Sequence, residues 1–271
     1  MSFQPILPAT GFLGWQFLQN TLEKQQDTFN KSAVLKRDVE YFRENIGKVR
    51  TAEDLVSDRR LLQVALGAFG LDEDINNRFF IRKILEEGTS DREALASRLA
   101  DKRYAKLSDA FGFANPGLPR TGLAFFADTI IDRYQVKQFE RAVGEQDDNL
   151  RAALNFENGF KEILADNKGN DARWFAALGN PPIRRVIEAA LGLPQSIAGI
   201  DLDLQLEQFQ SRTEATFGSR DISVLGDVEA REKLTRLFLV RSEADLFGGT
   251  SSGSVALSLL QSSQISYPSL F

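Results

Sequence analysis

The sequence predicts an all-α protein, multi-helical, with two related halves built from short capped helices. Apolar residues recur at three- and four-residue spacing along most of the chain, which is typical of amphipathic helices. In addition, a string of alanine, an apolar residue, glycine or asparagine, and a second apolar residue occurs four times. Its third positions lie 42, 43 and 37 residues apart, which indicates internal repetition. Because this spacing is uneven, we expect an irregular bundle rather than a regular solenoid.

Each copy of the repeated string predicts a helix stop. Glycine or asparagine tolerates the left-handed conformation just past a helix end, and the following apolar residue packs back on the last turn. The copies occupy residues 68–71, 110–113, 153–156 and 190–193. The predicted helix-stop residues are therefore Gly70, Gly112, Asn155 and Gly192.

The N-terminal part divides into an amphipathic arm, 1–30, and a first helical half, 31–115. In the arm, Phe12, Trp15, Leu18 and Leu22 form an apolar stripe that predicts a helix running to about Asn30. In the first half, residues 51–54 and 90–93 both have the form of a capping box, in which a hydroxyl and a carboxylate meet free helix amides. Each box predicts a helix start.

The proline- and glycine-rich string at 115–119 predicts a break, after which a second helical half spans 116–247. A long helix is expected over 125–144, and Asn180 followed by two prolines predicts another start. Residues 200–207 alternate apolar and polar side chains, which also fits a strand. We favour a helix beginning near Asp203, because acidic side chains crowd its start.

The C-terminal segment, 248–271, is predicted to be a flexible glycine- and serine-rich linker with a tail. Both ends of the chain carry apolar side chains that are costly to leave in water. The candidate partner-binding residues are Phe12, Trp15, Leu260 and Phe271. A frayed end without function is the alternative.

Composition excludes several classes of site. The chain has no His and no Cys, so it cannot contain a Ser-His-Asp or Cys-His triad, thiol redox chemistry or a structural zinc site. Asp72, Asp74 and Asn76 match the first ligand positions of a calcium loop, but Lys83 stands where the bidentate glutamate is needed. Glycine-rich phosphate motifs are also missing. We therefore predict no catalytic, cofactor-binding or metal-binding residues and expect no cofactor.

The net charge of −5 argues against nucleic acid as a partner, because nucleic-acid binding rests on cations that neutralise phosphates. We find no secretory signal and no apolar run near the roughly 20 residues that a membrane span needs. We expect a soluble, cytoplasmic protein, with export through the flagellar apparatus as the alternative. A homo-oligomer is left open.

Several long strings resemble the bacterial family known as domain of unknown function 1217. They lie at residues 38–46, 51–55, 58–62, 68–72 and 76–83, and the resemblance extends from roughly residue 30 to residue 250. The resemblance implies an alphaproteobacterial protein, often encoded among flagellar genes, with no established activity and no catalytic residues to carry over.

The resemblance implies a non-enzymatic, flagellum-associated binding or assembly protein whose partner is another protein. The alternative is an enzyme or small-ligand-binding protein that uses carboxylates and arginines in a cleft between the two halves. A deep pocket with convergent charges favours the ligand class, and an exposed apolar patch favours the partner class.

Overall fold

The computed structural model describes residues 3–114, 119–165 and 169–248. Within these ranges the protein is all-α, as predicted, with thirteen α-helices joined by short loops and 3-10 turns and with no strand. The helices are α1 Gly11–Asn30, α2 Ala33–Asn45, α3 Ala52–Ser57, α4 Arg59–Gly67, α5 Arg78–Glu87, α6 Leu95–Arg98, α7 Arg103–Phe111, α8 Phe126–Gly144, α9 Asp148–Ala165, α10 Asn170–Leu178, α11 Pro181–Leu191, α12 Leu202–Phe217 and α13 Val228–Gly248.

Side-chain caps start several helices. Thr51 and Asp54 form the predicted capping box of α3, with the Asp54 amide donating to the Thr51 hydroxyl at 3.1 Å. Asp147 accepts from two backbone amides in the first turn of α9. The capping box predicted at 90–93 is wrong. Ala94 is the residue before α6, and Asp91 instead accepts from the Glu93 amide within a turn.

Three of the four predicted helix-stop residues have positive φ beyond a helix. Gly112 and Gly192 directly follow α7 and α11 with φ of 68° and 66°. Gly70 lies in the turn after α4 with φ of 68°, and the Leu71 amide donates to the Leu66 carbonyl, which caps that end. Glycine suits these positions because it has no side chain to clash there.

The fourth predicted stop, Asn155, is wrong because it lies in the middle of α9. The residues after it continue the buried stripe with Phe156, Phe160 and Ile163, so the packing of the next two turns favours continuation. The alternating segment at 200–207 is largely helical. Asp201 caps α12, which starts one residue before Asp203, and the strand alternative is wrong.

The buried side chains of the N-terminal arm and both halves join in one apolar cluster. Helices α8 and α9 pack along each other, and α11 packs on α9 and α13. On the other side, α4 packs on α2 and α8. The turn after α4, helix α7 and the α8–α9 pair therefore meet around a shared depression, which positions the site described below.

Candidate functional site

A cavity of about 250 Å³, here called the central cleft, lies between the two predicted halves. The first half contributes the turn after α4 and the start of α7, and the second half contributes α8, α9 and the start of α11. Its charged lining consists of six cations and three carboxylates: Arg103, Lys106, Arg133, Lys137, Arg141 and Arg151, and Asp72, Glu140 and Glu162. The cleft is thus locally positive in a protein of net charge −5.

Helix α8 presents its cations at four-residue spacing. Arg133, Lys137 and Arg141 lie on one side of the helix because residues four apart are neighbours on a helix surface. The opposite side carries apolar residues such as Phe139 and Ala142, which are buried. Packing of that apolar face fixes α8 so that its basic stripe faces the cleft.

Helix α9 presents a complementary polar stripe, with Arg151, Asn155, Asn158 and Glu162 along the cleft. These residues are again three or four positions apart and share one face. Buried Leu154 and Phe160 anchor other sides of the helix.

The floor of the cleft is a hydrogen-bonded network between α8 and α9. The Lys137 ammonium donates to Glu140 Oε2 at 2.7 Å and to Asn155 Oδ1 at 2.8 Å. Asn158 Nδ2 donates to Glu140 Oε1 at 2.8 Å. Glu140 is 1% exposed, so its charge is compensated inside the protein. An ammonium has three donors, so one N–H of Lys137 remains for a ligand.

Ion pairs form the rim of the cleft. Lys106 of the first half and Arg133 both face the Glu162 carboxylate, at 3.1 Å and 3.7 Å. Arg141 pairs with Asp72 at 3.2 Å across the halves. These groups are partly exposed, so each pair contributes little to stability and can exchange partners with a ligand.

Arg151 differs from these rim residues. Its guanidinium makes no hydrogen bond or ion pair with any described residue, although it lines the cleft and is exposed. A guanidinium offers up to five N–H donors in a planar fork that matches a carboxylate or phosphate. The Arg151 guanidinium therefore has its donors free of partners among the described residues.

A second recess of about 540 Å³ continues from the central cleft past Arg151 toward Tyr104, Asp148 and Arg185. Tyr104 donates to Asp74 at 2.7 Å, and burial together with this bond raises the pKa of the Tyr104 hydroxyl to about 12. Tyr104 is consequently a neutral hydrogen-bonding group at neutral pH and has no role as a base.

Asp72 and Asp74, the two aspartates that match a calcium loop, accept hydrogen bonds from protein side chains instead. Asp72 accepts from Gln138 Nε2 at 2.8 Å besides pairing with Arg141, and Asp74 accepts from Tyr104 and Asn77. Among the described residues no group of three or more carboxylates is arranged to hold a metal ion. Anion binding is the chemistry for which the cleft residues are suited.

Two of the four predicted helix-stop residues lie at the cleft. Gly70 lines it through its turn, and its carbonyl accepts from Arg103 Nη1 at 2.5 Å. Asn155 lines it from α9. Gly112 and Gly192 lie elsewhere, the latter beside Arg241.

The predicted partner-binding residues lie away from the cleft. Trp15 is 5% exposed and packs in the core of its own chain, so it does not form a partner-binding surface. Phe12 is partly buried and lies 5.9 Å from the Arg236 guanidinium. Leu260 and Phe271 lie outside the described residues. On α1 the exposed apolar residues are Leu13 and Phe17 instead.

Sequence reasoning missed the basic stripe of α8, although the signal was present. Arg133, Lys137 and Arg141 recur every four residues inside a correctly predicted helix. The sequence did not show which part of the fold these cations face. Arg103 and Lys106 come from a distant part of the chain, and their approach depends on tertiary packing.

The described part of the chain contains no helix long and apolar enough to cross a membrane. No curated protein matches this sequence. A crystal structure of protein AGR_C_984 from Agrobacterium tumefaciens is similar, with a TM-score of 0.70 and 26% identity. The match covers 89% of this chain and 98% of that one.

The sequence pattern of the family described as "Protein of unknown function (DUF1217)" matches residues 68–230. This range covers more than half of the chain and includes the lining of the central cleft. The protein therefore belongs to the DUF1217 family.

Proposed function

We propose that the protein is a non-enzymatic binding protein whose central cleft receives an acidic group of its ligand. The observation that carries this proposal is the convergence of six cations and three carboxylates on one cavity, with the Arg151 guanidinium unpartnered. A hydrogen bond to a charged group contributes about 1.5–3 kcal/mol, so two or three such bonds provide useful affinity.

The state of the floor residues favours binding over catalysis. Glu140 accepts from Lys137 and Asn158 and is buried, so it is poorly placed to take a proton from a ligand. Lys137 is held in a fixed direction by two acceptors. Such an arrangement preorganises a positive charge, which lowers the cost of binding an anion.

Titration calorimetry of the full chain with pyrophosphate and with citrate tests the proposal. We expect binding of at least one of them, and Arg151→Gln should weaken it about tenfold through loss of a charged hydrogen bond. Lys161→Gln is the matched control, because Lys161 is on the same helix but outside the cleft. Absence of binding by both anions, or equal loss in both variants, contradicts the proposal.

A second candidate function is partner binding in flagellar assembly, in keeping with the family resemblance. The observation that favours it is a run of exposed apolar residues at the start of α12, where Ile200, Leu202 and Leu204 are each more than 40% exposed. Large apolar side chains that remain exposed are a feature of protein interaction sites. In this account the protein acts in the cytoplasm or, alternatively, is exported through the flagellar apparatus.

Motility of a deletion strain and a pull-down from motile cells test this candidate. Leu202→Ser/Leu204→Ser should lose flagellar components from the pull-down while the purified variant keeps its fold. Comparison of cell extract and culture supernatant distinguishes the two locations. Normal motility together with no flagellar component captured by the native protein contradicts a flagellar role.

A further inference from the structure

The central cleft is one end of a longer groove. It shares Arg103, Arg141 and Arg151 with the second recess. That recess in turn shares Pro181 and Arg185 with a third recess of about 860 Å³ between α11 and α13. The three recesses therefore follow one another along the surface from α8 to α13.

The far end of the groove is also basic. Arg184, Arg185 and Arg241 line the third recess, and Glu188 is the single carboxylate among its lining residues. Arg184 Nη2 is buried and has no hydrogen-bond partner within the described structure, although its Nε donates to Glu188 at 3.1 Å. Arg185 pairs with Asp148 and donates to Asn149, and Arg241 donates to the Ala189 and Ala190 carbonyls. Cations thus line both ends of the groove, and a ligand at the far end exchanges with these partners.

Carboxylates lie between these cations, and amides lie at the central cleft. Asp72, Glu73, Asp74 and Asp148 line the second recess, where a chain with a negative charge at every position, such as a nucleic acid, would be repelled. Asn158 and Asn180 line the central cleft, and the Asn180 side chain makes no hydrogen bond to a described residue. Primary amides donate and accept, as peptide groups do, whereas phosphates only accept.

We propose that this groove binds an extended acidic peptide segment of a partner protein. One carboxylate of the peptide lies in the central cleft against Arg151 and Lys137, and another lies beside Arg185 in the third recess. The Asn158 and Asn180 side chains bond the peptide backbone beside the first carboxylate. This inference rests on the proposed function, which concerns the central cleft alone, and adds the ligand class and the second contact.

Fluorescence anisotropy of the full chain with a labelled ten-residue peptide of alternating Glu and Ser tests it. We expect the Glu peptide to bind at least tenfold tighter than its Gln counterpart. Arg185→Gln should weaken peptide binding about fivefold and leave pyrophosphate binding unchanged. Arg151→Gln should weaken the binding of both ligands. The control is Arg212→Gln, an exposed arginine on α12 that lines none of the three recesses.

The outcomes separate the two proposals. If pyrophosphate or citrate binds but the Glu peptide binds no better than the Gln peptide, the inference is overturned and the proposed function stands. If neither the small anions nor the peptide bind, both are overturned. Tighter binding of a single-stranded oligonucleotide of ten thymidines than of the Glu peptide also overturns the inference.

Discussion

The two charged faces of α9 show how similar residues build two different sites. On one face, the central cleft gathers six cations and three carboxylates. On a different side of the helix, α9 forms an outer groove with α1 and α13, lined by Lys161 and Arg231 and by Glu157 and Glu232. Charges in the outer groove are balanced, and Glu157 pairs with Arg231 at 3.3 Å.

The difference teaches that charge balance, rather than the number of charged residues, distinguishes a site from a solvated surface. In the outer groove two cations are balanced by two carboxylates, so an incoming anion gains little. In the central cleft the cations outnumber the carboxylates, and Arg151 has no partner among the described residues. Four substitutions test this contrast, from the largest expected effect to the smallest.

Lys137→Met should give the largest effect, a loss of about 3 kcal/mol in the free energy of unfolding. It leaves the buried Glu140 carboxylate without its cation, and an unpaired buried charge is strongly destabilising. Urea unfolding measures the loss. Lys161→Met, in the outer groove, should change stability by less than about 0.5 kcal/mol.

The double variant Lys137→Met/Glu140→Gln checks the cause of that loss. It removes both charges and keeps an acceptor for Asn158, so it should recover most of the stability. A double variant as unstable as the single one would show that packing, not the unpaired charge, causes the loss.

Gly70→Val should cost at least about 1 kcal/mol, because φ of 68° is poorly tolerated by a β-branched residue. Gly70 holds the turn that carries the opposite wall of the central cleft. Gly199→Val is the comparison, since Gly199 has no positive φ and open space around it. Thermal melts of both variants measure the difference. Equal costs would mean that the turn conformation is not what requires glycine.

Glu162→Gln should raise the affinity for pyrophosphate about threefold. It removes the carboxylate that holds Lys106 and Arg133, so the positive excess of the cleft increases. The cost in stability should be small, because both ion pairs are exposed. Glu232→Gln in the outer groove is the matched control and should leave affinity unchanged. A decrease in affinity would show that Glu162 positions the cations instead of competing for them.

The smallest effect concerns pH and the outer groove. Burial raises the pKa of the Glu157 carboxyl in the folded state above its ordinary value. The raised pKa means that the folded protein tolerates the neutral Glu157 carboxyl better than the charged one. The resulting contribution to the free energy of unfolding is fully present below the unfolded-state pKa of about 4.5 and is lost as pH rises through the folded-state pKa. Glu157→Gln should therefore remove a small decline in stability above pH 4.5. Urea unfolding from pH 4 to 7 measures this decline. If the variant shows the same decline as the native protein, other titrating groups cause it.

The sequence predicted the helical architecture well because apolar spacing and caps are local signals. The glycine stops were found for the same reason. Asn155 shows where such local reasoning ends. It has the same flanking residues as a stop, yet the apolar residues that follow it keep α9 helical, and its side chain accepts from Lys137.

The candidate site was less accessible to sequence reasoning. The alternative of a charged cleft between the halves could be stated, but its residues could not be named. Arg103 lies 38 positions before Arg141 along the chain and meets it only after the helices pack. The burial of Glu140 was likewise invisible, because a glutamate at that position also suits an exposed helix face.

Mapping pyrophosphate binding by ¹⁵N–¹H correlation NMR tests the central claim most directly. The prediction is that backbone amides of Gly70, Arg141, Arg151 and Asn155 shift in a saturable way, while those of Lys161 and Arg231 do not. This pattern would place the ligand on the cleft face of α9. Shifts centred on the outer groove, or weak shifts scattered over the whole surface, would contradict the claim that the central cleft is the binding site.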